Sequence, residues 1–129
     1  MDIYFTDREA DIMQLLWRLG PSTVTEVRAG LHDELAYTTV LTMLRTLEQK
    51  AYVGHEEEGR THRYFAKVAQ QEARKSALRH LAGKLFEGSS ELLLTHLVTD
   101  QLNAEQVARL RRLLNDNAGL DEKTGKGNS

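Results

Sequence analysis

The stretch that most constrains this chain is Tyr37–Lys50, Tyr-Thr-Thr-Val-Leu-Thr-Met-Leu-Arg-Thr-Leu-Glu-Gln-Lys. At a helical period Val40, Met43, Leu44 and Leu47 share one side, and Thr38, Thr42, Arg45 and Gln49 share the opposite side. Thr39 and Thr46 flank the polar side and Leu41 the other flank. Surface helices ordinarily carry Lys and Glu on their outer face. Threonine is a poor helix former, because its branched side chain loses rotamer freedom. Its repeated use here points to a demand other than helix stability. A short hydroxyl beside a methyl can hydrogen-bond a base edge and touch a thymine methyl, so this face suits a DNA major groove. The competing reading is a core helix with an indifferent outer face.

The flanking segments place this helix third in a small domain. Thr6 with Glu9 forms a Thr-x-x-Glu capping box, and Ile12, Leu15, Leu16 and Leu19 then make one apolar face until Gly20-Pro21 stops the helix. Trp17 beside that face reads as core filling. Thr23 with Glu26 repeats the capping box for a short second helix expected to run to about Glu34, buried through Val27 and Leu31. Two short helices joined by a turn, the second with a polar outer face, give a helix-turn-helix pattern. Residues 51–66 then read as a β-hairpin: Tyr52 and Val53 open one strand, and Tyr64, Phe65 and Ala66 close the other. Its tip is Glu58-Gly59-Arg60, where glycine is free to take positive φ. Three helices and a hairpin make a winged helix. Arg60 is placed to reach phosphates or a minor groove, and Arg63 lies along the same wing.

After residue 68 the pattern changes. Residues 70–86 carry Ala77, Leu78, Leu81 and Leu85 on one side. Gly88 interrupts, and residues 91–102 are apolar around much of their girth. A last helix from Asn103 or Ala104 aligns Val107, Leu110, Leu113 and Leu114. Three such helices make a poor core alone, and a second copy would complete it. The expected organisation is therefore a winged-helix domain over 1–68, a helical dimerisation region over 69–118 and a disordered tail over 119–129. The fold class is mainly α with a small β-hairpin wing.

Several function classes are excluded. The chain has no cysteine, which removes disulfides and thiolate metal sites. It carries no His-Glu-x-x-His, P-loop or Gly-x-Ser-x-Gly motif. His32, His55, His62, His80 and His96 show no ligand-like spacing, so neither enzyme activity nor a cofactor or metal is expected. The longest apolar run, Leu92–Leu94, is too short to insert in a membrane, and the first residues do not resemble a signal peptide; a cytoplasmic protein is expected. Charge runs the other way from a nucleic-acid binder. Residues 1–67 hold eight Lys/Arg and eleven Asp/Glu, a net charge of −3. Phosphate neutralisation supplies most DNA affinity, so the few cations must gather on one face. The rival reading is a winged helix that contacts protein without sequence-specific DNA binding.

Taken together, these residues resemble the penicillinase-repressor family of transcriptional regulators, BlaI/MecI-like. The resemblance runs through Ala10-Asp-Ile-Met13, Leu16-Trp17, Gly20-Pro21 and Thr23-Val-Thr-Glu-Val27. It continues through Leu35-Ala-Tyr-Thr-Thr-Val-Leu-Thr-Met-Leu44, Leu47-Glu-Gln-Lys50, Glu58-Gly-Arg60, Ser76-Ala-Leu-Arg79 and Leu85-Phe-Glu-Gly-Ser89. It implies a homodimeric repressor on a palindromic double-stranded DNA operator with TACA/TGTA-like half-sites, often upstream of β-lactamase or related genes. Carried over by position, Thr38, Thr39, Thr42, Arg45 and Thr46 face the operator, with Arg60 on the wing. Thr38 and Thr46 stand where some relatives have a basic residue. The resemblance also implies inactivation by a membrane sensor protease that cleaves in the C-terminal helices. The matching segment is Leu93–Leu97, where Thr95-His96 replaces the family's asparagine–phenylalanine pair. Copper-responsive relatives use tail cysteines, which this chain lacks.

Overall fold

The computed structural model describes the backbone of residues 2–124 and the side chains of residues 2–117. The described elements are α1 (Asp7–Leu19), α2 (Val24–Gly30), α3 (Tyr37–Gln49), strands β1 (Val53–Glu58) and β2 (Thr61–Ala66), then α4 (Gln70–Leu85), α5 (Ser90–His96), a π-helical segment Leu97–Gln101 and α6 (Ala104–Thr124). The chain divides into two compact units within α4, one up to His80 and one from Leu81.

The first unit is a winged helix. Both expected capping boxes form: Thr6 with Glu9 opens α1, and Thr23 with Glu26 opens α2. Gly20 ends α1 at φ +81°, a conformation that favours glycine. α2 is shorter than expected and stops at Gly30 instead of near Glu34. Residues 31–36 form a longer loop, fastened where Arg28 Nε donates to Leu35 O at 2.7 Å. α3 begins at Tyr37 as expected and buries Val40, Leu44 and Leu47 completely against Ile12, Met13 and Val27. Each such side chain contributes roughly 1.5–3 kcal/mol by leaving water.

The corner from α3 to β1 is a Schellman turn. Ala51 N–H donates to Glu48 O at 2.9 Å and Tyr52 N–H to Leu47 O at 3.0 Å. Ala51 takes the left-handed position at φ +68°, where glycine is the usual occupant. The accompanying hydrophobic contact is supplied by Leu47 and Tyr52, both buried.

The hairpin pairs Val53 with Ala66 through Glu58 with Thr61, leaving Gly59-Arg60 as a two-residue loop. Gly59 has φ +64° and Arg60 is not among the positive-φ residues, the pattern of a type II′ turn. Tyr64 anchors the hairpin at 2% exposure, and its backbone exchanges both hydrogen bonds with Ser22, at 2.9 and 2.8 Å. Trp17 fills the core edge as expected, with Nε1 donating to Val68 O at 2.9 Å.

The first unit reaches further along the chain than the expected 68/69 boundary. Ala73 and Ser76 on α4 are buried, and Ser76 Oγ bonds both the N–H and the carbonyl of Ile3, at 2.9 and 3.0 Å. These contacts join positions seventy-three residues apart, which local periodicity does not reveal.

The second unit, from Leu81, has few buried side chains. α5 and the π-helical segment contain none, while Leu81, Leu85, Leu92, Leu97, Leu113 and Leu114 are all exposed. Ser89 caps α5. Asn103 and Gln106 exchange reciprocal bonds at the start of α6. α6 continues to Thr124, so the backbone of residues 119–124 is helical where a disordered tail was expected; residues 125–129 lie outside the described residues. No described helix is long and apolar enough to cross a membrane.

Glu9 is the buried charge of the first unit, at 4% exposure. Burial pushes its carboxyl up, but Lys50 Nζ at 2.8 and 3.0 Å and the Thr6 cap outweigh that and hold it below the ordinary 4.5. A carboxyl depressed in the folded state stabilises fully above its unfolded pKa and loses that stabilisation as pH falls through the folded value. Glu9→Gln should therefore cost ~1–2 kcal/mol at neutral pH. Urea unfolding across pH should show wild type and variant converging as pH drops below 4.5.

Candidate nucleic-acid interface

The outer side of α3 is open as the sequence periodicity requires. Thr38, Thr39, Thr42, Arg45 and Gln49 are exposed, and Thr46 is half-buried on the flank. The threonine hydroxyls are not idle. Thr42 Oγ1 donates to Thr38 O at 2.9 Å and Thr46 Oγ1 donates to Thr42 O at 3.0 Å. Such bonds to the preceding helical turn use the hydroxyl hydrogen and leave both lone pairs of the oxygen as acceptors.

Between the start of α2, α3 and the wing lies a cleft of about 500 Å³. Thr25, Tyr37, Leu41, Arg45, Arg60 and His62 are among its lining residues. It gathers two cations, Arg45 and Arg60, that have no carboxylate partner among the described residues. Two further cations of this unit are paired, Arg8 with Asp33 at 2.7 Å and Lys50 with Glu9 at 2.8 Å, while Arg18, Arg28 and Lys67, which do not line the cleft, also have no carboxylate partner among the described residues. The acidic balance of residues 1–67 thus coexists with a cationic cleft. Beneath it, burial raises the Tyr64 phenol, Glu48 adds to that, and Arg45 opposes it.

Arg63 lies apart from that pair. Its Nε meets Glu58 Oε2 at 2.6 Å, and its Nη1 meets Glu26 Oε1 at 3.0 Å and Pro21 O at 3.4 Å. Glu58 and then Glu26 hold the guanidinium more firmly protonated, and Thr23 followed by Arg63 holds the Glu26 carboxyl below its usual range. Arg63 therefore straps the wing to the N-terminus of α2. Sequence alone places it on the wing but gives no sign of Glu26, thirty-seven positions away.

Thr95 and His96 sit at the exposed last turn of α5, in the second unit. Thr95 Oγ1 donates to Glu91 O at 2.9 Å, and His96 Nδ1 lies 3.3 Å from Asp100 Oδ2.

A further cluster on the wing is not apparent from the spacing of the histidines in the sequence. His55, Glu57 and His62 each offer a ligand atom within 4.8 Å of the others. The signal was present: once Gly59-Arg60 is taken as a two-residue loop, Glu57 faces His62 and His55 falls on the same side.

The penicillinase repressor family model matches residues 5–116. The chain belongs to the penicillinase repressor family. It is 35% identical over 112 residues to the transcriptional regulator BlaI of Mycobacterium tuberculosis, recorded for strains CDC 1551 and H37Rv, across 84% of this chain and 80% of that relative. Among solved structures, the transcriptional regulator Tm0710 of Thermotoga maritima aligns at a TM-score of 0.54 with 18% identity, over 94% of this chain and 79% of that one. A MarR family protein of Bacillus stearothermophilus aligns at 0.51 with 16% identity, over 91% and 75%. These two structures share the fold. Family and fold together make the chain a winged-helix transcriptional regulator of a repressor family, which is non-enzymatic.

If Arg63 is a strap, Arg63→Ala should leave the helices folded while amides of β1 and β2 exchange hydrogen faster than those of α3. Hydrogen-exchange mass spectrometry checks this. Equal change across the whole unit would contradict it.

Proposed function

We propose that this chain is a homodimeric repressor that reads a palindromic operator with α3 in the major groove and the wing against the backbone. The observation that carries this reading is the cleft that brings Arg45 of α3 and Arg60 of the wing tip together without competing carboxylate partners. The family and the relative named BlaI support a repressor.

In this reading the residues divide by chemistry. Arg60 at the hairpin tip meets phosphate or minor groove, which positions the protein without reading sequence. Arg45 is suited to the O6/N7 edge of guanine. Thr38, Thr39, Thr42 and Thr46 offer methyls and acceptor oxygens, which match thymine methyls and the amino hydrogens of adenine or cytosine. Arg63 acts mainly by holding the wing in register.

The second unit supplies the twofold axis. Its exposed leucines on α5, the π-helical segment and α6 need a partner, and a second copy offers the same faces. Two reading heads on one duplex then require half-sites spaced by whole helical turns. The target is β-lactam-resistance or related genes. Relief by a membrane sensor protease acts at Thr95-His96, an exposed turn that must unwind to enter a protease site.

Thr42→Ala and Arg45→Ala should lower discrimination among operator variants, by ~1–3 kcal/mol for the arginine. Arg60→Ala should weaken operator and random duplex alike and reduce the salt slope by about one. Fluorescence anisotropy over a salt series checks both; affinity indifferent to salt would favour a protein-binding winged helix instead.

A chain ending at His80 keeps Ala73 and Ser76 and should fold as a monomer that binds the operator far more weakly. Sedimentation equilibrium showing a dimer of that fragment would place the twofold contact in the first unit.

A further inference from the structure

The wing carries three consecutive glutamates, Glu56, Glu57 and Glu58, beside the surface assigned to DNA. Glu58 is held by Arg63 at 2.6 Å. The other two have no arginine or lysine partner among the described residues. Such charge beside phosphate is repulsive unless something offsets it.

We propose that the wing binds a zinc-type divalent cation through His55, Glu57 and His62. The register puts all three on the side of the hairpin that carries Tyr64, since Glu57 faces His62 and His55 faces Tyr64. His62 Nε2 lies 3.7 Å from Glu57 Oε1, close to the edge of about 3.4 Å that ligands at ~2.1 Å span around tetrahedral zinc. One donor atom from each of the three falls within 4.8 Å of the other two, so rotations of partly exposed side chains complete the closure. The two imidazoles lie face to face, with centroids 4.5 Å apart and planes 16° apart.

The chemistry of the set favours zinc over calcium or magnesium. Two imidazoles and one carboxylate are a nitrogen-rich triad, whereas the hard cations take oxygen. The fourth position is open to water or another ligand.

A second carboxylate completes the arrangement. Glu48, on α3, approaches His55 Nδ1 at 2.5 Å. A carboxylate on one ring nitrogen orients the imidazole and raises the basicity of the other nitrogen toward a metal. The site thus joins both strands of the wing to the reading helix. A bound dication offsets Glu57 and Glu48, on the wing and helix that also present Arg60 and Arg45 to the cleft. Zinc should therefore strengthen duplex binding, a consequence that rests on the DNA-binding reading above, whereas the site itself does not.

The test uses the full chain. Zinc chloride is titrated calorimetrically into wild type, His32→Ala, His62→Ala, Glu57→Gln and the His55→Ala/His62→Ala double variant, with folding checked by circular dichroism. One zinc per chain in wild type and His32→Ala, weakened ~tenfold or more in His62→Ala and in the near-isosteric Glu57→Gln, supports the site. Absence of binding by wild type, or unchanged binding by the double variant, overturns it. In parallel, retention of a duplex of random sequence is compared with zinc and with a chelator. Tightening by zinc in wild type but not in the double variant supports the coupling; equal retention with the site filled overturns it. A protein that retains no duplex under either condition would sink the DNA-binding reading, while the calorimetry still decides the metal site.

Discussion

Val40, Leu44 and Leu47 have no exposed surface, and they recur on successive turns of α3. A helix gripped at those positions cannot roll about its axis without opening cavities, at a cost of a few kcal/mol for each displaced side chain. The outward direction of Thr38, Thr42 and Arg45 is therefore decided by what is buried on the other side. The same core receives Tyr64 from the wing, so the reading face and the hairpin are indexed to one set of packed atoms. The Ser22–Tyr64 backbone pair and the Arg63 strap then act on a hairpin whose placement packing has already set.

What was legible in the sequence follows the range of the interactions. The capping boxes of α1 and α2 join residues three apart, and the apolar positions of α3 recur over about two turns, from Val40 to Leu47, so both are readable locally. The stop at Gly30 was missed because Leu31 continues the apolar pattern while its backbone has left the helix. Arg63 was placed on the correct element, but its partners depend on where α2 and the wing meet. The reach of the first unit into α4 rests on Ser76 and Ile3, which only the folded chain brings together. The leucines from Leu81 onward announced burial, and a single chain leaves many of them bare. The pattern described a surface accurately without stating what covers it.

Charge is distributed by pairing more than by count. The acidic surplus of residues 1–67 suggests a protein that repels nucleic acid, yet Asp33, Glu9, Glu26 and Glu58 each hold a specific cation. Arg45 and Arg60, neither with a carboxylate partner among the described residues, face one cleft. Local potential at a few ångströms is governed by such neighbours, because screening at physiological salt removes most of what lies beyond about 8 Å.

The alanine in the left-handed corner after α3 bears on motion. Glycine at that position would visit many backbone states, and the hairpin could swing about it as on a loose pin. Alanine has one narrow well there, entered at some strain and closed on both sides by Cβ sterics. The joint is consequently stiff, and a push on the wing tip is passed to α3 as torque instead of being absorbed at the bend.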